Sequence, residues 1–188
     1  MALAYSQPKD LGLPAPSFCL PGTDGQTYCL KDFDEAQVLV VIFTCNHCPY
    51  AQAIRPRIIA LHDFYDELGV QFIAINSNDE HAYPKDSMKH MMEEKYNYSF
   101  PYLRDETQDV ARDFGAACTP DIFVYDNARR LAYHGRVDDN WKDIEKVTQE
   151  DLRDALDDLL NGEKPGEEQQ PSVGCSIKWK NEKGGDNA

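Results

Sequence analysis

Positive charge is scarce in this chain: 19 Lys and Arg stand against 33 Asp and Glu, a formal net charge of −14 over 188 residues. An acidic surface of that kind repels nucleic-acid backbones and anionic membranes, so neither is expected as a partner. Long apolar runs are missing too, and nothing approaches the roughly 18 consecutive apolar residues of a membrane-spanning helix. The opening segment, Met1 to Asp10, has neither the basic stretch nor the apolar centre of a signal peptide, so a cytoplasmic location is expected. Asn97-Tyr98-Ser99 fits a glycosylation sequon, which without secretion is a chance match. No internal repeat is visible. The length suits one domain of ordinary size with an appended tail.

Cysteine is present in six copies, a number that in a cytoplasmic chain suggests catalytic or metal-binding use over a disulfide framework. The informative pair is Cys45-Asn46-His47-Cys48, placed where the apolar run at residues 38–44 gives way to a helical stripe of Ile54, Ile58, Leu61, Tyr65 and Leu68. A cysteine at a helix N-terminus meets unpaired N–H groups and the positive end of the macrodipole, which favour thiolate. Two thiols three positions apart on such a turn can close a reversible disulfide. Redox chemistry is the expectation, in an electropositive corner open to exchange with other molecules.

The surrounding pattern is α/β. Residues 17–20 and 26–30 read as a hairpin around Gly25, with Cys19 facing Cys29 and Leu20 facing Tyr28. Cys19 and Cys29 are expected to pack as small apolar residues, a cross-strand disulfide being the alternative. Residues 38–44 and 70–77 read as strands, the first covered on both faces. Pro56 interrupts the intervening helix, which Gly69 ends. Met88, Met91, Met92 and Tyr96 mark a second amphipathic helix, read as core stripe. Residues 100–103 form a short strand, and Asp105 caps a helix carrying Val110 and Phe114. A hairpin over residues 122–125 and 131–137 follows. Thr148 with Asp151 makes an approximate capping pattern for a last helix, whose Asp154, Asp157 and Asp158 form a solvated face. Strands alternating with helices argue for a layered sheet.

Taken together, strand, Cys-x-x-Cys, helix, strand, helix, then Cys118-Thr119-Pro120 opening a hairpin, and a last helix resemble the thioredoxin fold. The chain is most similar to its redoxin branch, the alkyl hydroperoxide reductase and thiol-specific antioxidant superfamily. Phe43-Thr44-Cys45-Asn46-His47-Cys48-Pro49-Tyr50, residues 74–79, Asp138-Asp139-Asn140-Trp141 and Gly174-Cys175-Ser176-Ile177-Lys178-Trp179 resemble a peroxiredoxin-like group within it. The resemblance implies a three-layer sandwich, with a central mixed β-sheet, helices on both faces and an N-terminal β-hairpin extension. Residues 1–13 would form an arm, 14–161 the domain, and 162–188 a C-terminal tail.

It also implies roles. Cys45 would attack a disulfide and Cys48 would resolve the mixed disulfide, with Pro120 cis and against the pair. As imidazolium, His47 would stabilise the Cys45 thiolate and make the couple more oxidising than the roughly −270 mV of thioredoxin; alternatively it points to solvent. Peroxiredoxins carry a Thr or Ser three residues before the peroxidatic cysteine. Here Cys45 stands in that place relative to Cys48, and the hydroxyl that orients a peroxide is absent. The buried acid that thioredoxin carries on the preceding strand is absent as well.

Parallel strands bring Asn76-Ser77-Asn78-Asp79 to the rim beside Cys45, and the returning hairpin brings Arg136 and Trp141 there. Thr44 and Thr119 complete the expected rim. Arg136 and Trp141 either meet substrate or thiolate, or serve as an ion-pair partner and an apolar cover. Cys118 either packs, exchanges electrons or ligates a metal. Cys175 either reaches the active pair as a resolving thiol or belongs to a tail docked by Ile177 and Trp179. The expected activity is thiol–disulfide exchange on protein or small-molecule thiols and disulfides, with no cofactor. The alternatives are a thiol peroxidase in which Cys48 attacks peroxide, and zinc or copper binding through Cys45, His47 and Cys48.

Overall fold

The computed structural model describes residues 3–94 and 98–180 of the chain. Its architecture is set by the run Val38–Phe43, in which every side chain is buried and successive side chains face opposite ways. This is the fourth strand among the described residues. In chain order the elements are β1 (Leu3–Tyr5), β2 (Cys19–Pro21), β3 (Thr27–Cys29), β4 (Val38–Phe43), α1 (Pro49–Tyr65), β5 (Val70–Asn76), α2 (Met88–Glu94), β6 (Tyr102–Arg104), α3 (Asp109–Phe114), β7 (Cys118–Thr119), β8 (Asp121–Tyr125), β9 (Leu131–Gly135), α4 (Asp151–Leu160) and β10 (Val173–Ser176).

The central sheet has the order β6-β5-β4-β8-β9, parallel from β6 to β4 and antiparallel from β4 to β9. Val38, Val40 and Ile42 face α1 and α4, packing on Ile54, Ile58, Leu152 and Leu156. Leu39, Val41 and Phe43 face the other way, onto Phe18, Phe33 and Phe114. The expected mixed sheet with helices on both faces is thus what the chain forms. Among the described residues no helix is long and apolar enough to cross a membrane.

The arm and the tail meet. β10 lies between β1 and β7 in a second, antiparallel sheet, with Leu3 opposite Cys175 and Cys175 opposite Thr119. Just beyond β10 the tail is held by backbone bonds: Ile177 N–H to the Ala117 carbonyl at 3.2 Å, and Asp79 N–H to the Lys178 carbonyl at 2.8 Å.

Some expectations are corrected. The β2–β3 register is the one read from sequence, but Cys19 and Cys29 form a disulfide instead of packing as thiols. Directly opposed positions in a tight hairpin bring their sulfurs together whatever the surrounding polarity. Closing a loop of this length removes unfolded-chain entropy worth about 2–3 kcal/mol. Cys19→Ser is therefore expected to lower unfolding free energy by about that amount in urea, against no change for the wild type under non-reducing conditions.

Helix α4 begins after Glu150, which makes no side-chain cap; Thr148 bonds Asp139 instead, and Asp151 is taken by Arg136. Asp157 is more than a solvated residue, since it accepts the Tyr65 hydroxyl at 2.5 Å. Of the methionine stripe, Met91 is buried and Met92 is exposed. Tyr96 and Asn97 lie outside the described residues.

Candidate functional site

The site is built at the carboxyl end of β4, where the strand stops and α1 begins. Proline at the first helical position lacks only an N–H that would have no partner there, so Pro49 fixes the start of α1 and makes Cys48 its N-cap. Cys45 lies three residues back, on the loop. This order matters, because the helix terminus acts on Cys48 and not on Cys45, as the sequence had suggested.

The sulfurs sit together. Cys45, Cys48 and Cys175 pack in one cluster, and Cys48 Sγ lies 3.0 Å from Cys175 Sγ. Thr119 borders both members of the pair: its hydroxyl is 3.5 Å from Cys45 Sγ, and its carbonyl is 3.0 Å from Cys48 Sγ. The Thr119–Pro120 peptide bond is cis. Cys118 is apart from this cluster in chemistry. Its thiol donates to the Pro120 carbonyl at 3.3 Å, and burial, then Asp121, push it far above the usual thiol range, so it packs.

The surroundings push the two thiols in opposite directions. Donation to Cys48, then burial, then the nearby Asp86 carboxylate raise the Cys45 thiol well above its ordinary value. Cys48 moves the other way. The bond from Cys45 lowers it most, burial opposes, and the Cys175 thiol and the Ala51 N–H of the first helical turn lower it further. The Thr119 side chain lowers it as well. Cys175 is raised by burial, then by its hydrogen bond with Cys48.

His47 neither reaches for the Cys45 thiolate nor points to solvent. Its Nδ1 lies 2.7 Å from Asp86 Oδ2, and its ring stacks on Tyr83 at 5.1 Å. Asp86 is the residue that sequence reasoning missed. Fully buried, it also accepts Asn46 N–H at 2.9 Å and the Asn78 amide at 2.8 Å. An acid is thus present beside Cys45 after all, supplied by the loop after β5 and not by β4. Pro84-Lys85-Asp86 has no periodicity or motif that signals burial. Cys45 Sγ, a His47 ring nitrogen and an Asp86 oxygen all lie within 4.8 Å of one another, so Asp86 replaces Cys48 in the soft donor set expected from sequence.

Burial alone would raise the Asp86 carboxyl, yet the bonds from His47, Asn78 and Asn46 hold it below its ordinary value. A depressed folded-state value means stability that is present above the unfolded value and lost as pH falls through the folded one. Asp86→Asn is expected to flatten the acid limb of the stability profile below about pH 4. It is also expected to shift the pH midpoint of Cys45 alkylation downward, since the neighbouring negative charge is gone. An unmoved alkylation midpoint would mean that Asp86 does not act on Cys45.

The other expected rim residues divide. Pro120, Arg136 and Trp141 line one cavity of about 250 Å³, together with Tyr5, Ser172 and Val173. Arg136 is held by Asp151, Nε to Oδ2 at 2.8 Å, and so is an ion-pair partner, not a thiolate ligand. Trp141 packs on Tyr50 at 4.2 Å, and Tyr50 in turn packs on the sulfur cluster. Asn76 faces inward, bonding Tyr102, and Thr44 lies 3.4 Å from the Tyr98 hydroxyl. Neither belongs to the cavity.

Residues 11–134 match the profile of the AhpC/TSA family. The chain belongs to the AhpC/TSA family. A curated relative, the thiol-disulfide oxidoreductase ResA of Halalkalibacterium halodurans, is 27% identical over 109 residues, which cover 58% of this chain and 58% of ResA. Two solved structures are similar along nearly their whole length. A hypothetical protein from Sinorhizobium meliloti 1021 superposes with a TM-score of 0.89 at 42% identity, covering 94% of this chain and 98% of that one. An uncharacterized conserved protein from Geobacillus kaustophilus gives 0.90 at 42%, covering 96% and 98%. The fold is shared more widely, as with a putative thiol:disulfide interchange protein DsbE from Chlorobium tepidum at 22% identity and a TM-score of 0.61, covering 81% and 96%.

Within this AhpC/TSA domain the pair is covered. Cys45 is 1% exposed and Cys48 is 0% exposed. The expectation of an open, electropositive corner is therefore corrected: β10 lies over the sulfurs, and Asp86 brings negative charge to one of them. Strand β10 forms part of that cover, with Cys175 packed on the pair. Gly174 lets it approach, because a Cβ there would stand 2.0 Å from the Thr119 carbonyl oxygen.

Proposed function

We propose that this protein is a thiol–disulfide oxidoreductase whose working couple is the Cys45–Cys48 dithiol and disulfide. The observation that carries the reading is the placement of the sulfurs: Cys48 is the N-cap of α1, where the helix terminus favours thiolate, and Cys45 packs beside it in one cluster. The AhpC/TSA assignment and the similarity to ResA support it.

In this reading Cys48 attacks one sulfur of a substrate disulfide, and the other leaves as thiolate. Cys45 then gives up its proton and attacks Cys48. The Cys45–Cys48 bond forms, the mixed disulfide breaks, and the substrate departs with two electrons as a dithiol, taking up the Cys45 proton and one from water. The roles are thus the reverse of those implied by resemblance. Substrates are protein or small-molecule thiols and disulfides, admitted when β10 lifts from the pair. The test is turnover of a fluorescent peptide disulfide with dithiothreitol as reductant. The protein is expected to accelerate reduction well beyond dithiothreitol alone; a rate equal to the reductant alone contradicts the assignment.

Burial of Cys48 favours a second reading, because hydrogen peroxide is small enough to reach a covered thiolate. Cys48 would be oxidised to a sulfenic acid as the peroxide O–O bond breaks, and condensation with Cys45 would release water. Stopped-flow peroxide reduction no faster than that of a free thiol eliminates it. A metal held by Cys45, His47 and Asp86 would occupy the sulfur that the disulfide needs. Elemental analysis after chelator-free purification decides that case.

A further inference from the structure

Cys175 is brought to Cys48 by specific construction. Its strand is fixed on one side by Ser6, whose N–H donates to the Ser172 carbonyl at 3.0 Å, and whose hydroxyl receives Ser172 N–H at 2.9 Å. On the other side the register sets Cys175 opposite Thr119, the residue that touches both Cys45 and Cys48. Beyond the strand, Asn78 ties the tail to the site itself. Its amide nitrogen donates to Asp86, while its oxygen accepts Lys178 N–H at 2.8 Å. Gln108 adds a further clamp through the Lys178 carbonyl and Lys180 N–H, both at 2.8 Å. The result is a separation of 3.0 Å between Cys48 and Cys175 sulfurs, about 1 Å more than a disulfide bond.

We propose that Cys175 is a third redox thiol, and that the disulfide moves between Cys45–Cys48 and Cys48–Cys175 with Cys48 as the shared sulfur. This rests on the dithiol reading above and extends it. Cys175 loses its proton and attacks Cys48 of the Cys45–Cys48 disulfide. The Cys48–Cys175 bond forms, the Cys45–Cys48 bond breaks, and Cys45 leaves with the electron pair and takes up a proton. No net oxidation occurs. The exchange has a structural consequence, because the new bond staples β10 to the head of α1 and closes the site. In the Cys45–Cys48 form the strand is held only by hydrogen bonds and packing, and it can lift. The position of one disulfide thereby decides whether the site is shut.

The test oxidises two variants of the full chain with diamide and maps disulfides by mass spectrometry, with circular dichroism to verify the fold. In Cys45→Ser the majority of chains are expected to carry a Cys48–Cys175 link. In Cys175→Ser the link is expected between Cys45 and Cys48. If folded Cys45→Ser yields Cys48 and Cys175 as separately alkylated thiols, the third-thiol assignment is overturned while the dithiol reading stands. If Cys175→Ser yields no Cys45–Cys48 link, the dithiol reading itself fails. In the wild type, a shift of the link from Cys45–Cys48 to Cys48–Cys175 should slow digestion of residues 172–180 by trypsin. Equal digestion of the two forms would overturn the staple.

Discussion

Cys48→Ser is expected to abolish turnover of the peptide disulfide, lowering the rate to that of dithiothreitol alone. Cys48 is the thiol held low, at the N-cap of α1, and it adjoins both neighbouring thiols, so its removal takes away the attacking sulfur and the partner of either neighbour. Without Cys48, burial and Asp86 still hold the Cys45 thiol up and burial still holds Cys175 up, so neither compensates. The complementary experiment replaces both neighbours. In Cys45→Ser/Cys175→Ser, Cys48 still attacks but nothing resolves the product, and the protein is expected to accumulate as a stable mixed disulfide. Mass spectrometry of the intact protein reads that adduct directly. If Cys48→Ser keeps turnover and the adduct forms on Cys45 instead, Cys45 and not Cys48 is the attacking sulfur.

The second large effect concerns the cover. Ala in place of Gly174 puts a Cβ 2.0 Å from the Thr119 oxygen and 2.6 Å from its carbon, both backbone atoms that cannot swing aside. Overpacking of this kind costs about 1–3 kcal/mol. If that strain falls on the seated strand and not on the lifted one, the open population rises by roughly 5- to 150-fold, since every ~1.4 kcal/mol is tenfold. Alkylation of Cys48 in the reduced native protein should accelerate by the same factor. Gly166→Ala, where a Cβ meets nothing within 4 Å, serves as the control and should leave the rate unchanged. Equal rates in both variants would mean that reagents reach Cys48 by another route than the lifting of β10.

Much of this architecture is legible from local pattern. Val38–Phe43 has no polar residue to offer a solvent face, and it is the strand buried on both sides. The β2–β3 register follows from turn position alone, and it sets Cys19 opposite Cys29. The chemistry of that pair is not legible, because whether two facing cysteines bond depends on a sulfur separation that sequence does not state.

The site divides the same way. The Cys-x-x-Cys and its place between strand and helix are written in adjacent residues. Asp86 is not, because its burial comes from partners as remote as Asn46, far back in the chain. Arg136 arrives at the expected cavity, but Asp151 is there to meet it. The tail is the clearest case. Cys175 is 127 positions from Cys48, and only the insertion of β10 between β1 and β7 joins them. Short strands of two to four residues carry little periodicity, so pairing of this kind leaves almost no trace in the hydropathy pattern.

The most direct measurement is an equilibrium redox titration of the wild-type protein in glutathione buffers, with every disulfide mapped at each potential. The account predicts one reversible two-electron transition in which the Cys48 sulfur gains and loses a partner, Cys45 or Cys175, while Cys118 stays a thiol throughout. A Cys48 that remains a thiol across the whole range, in folded protein, would contradict it.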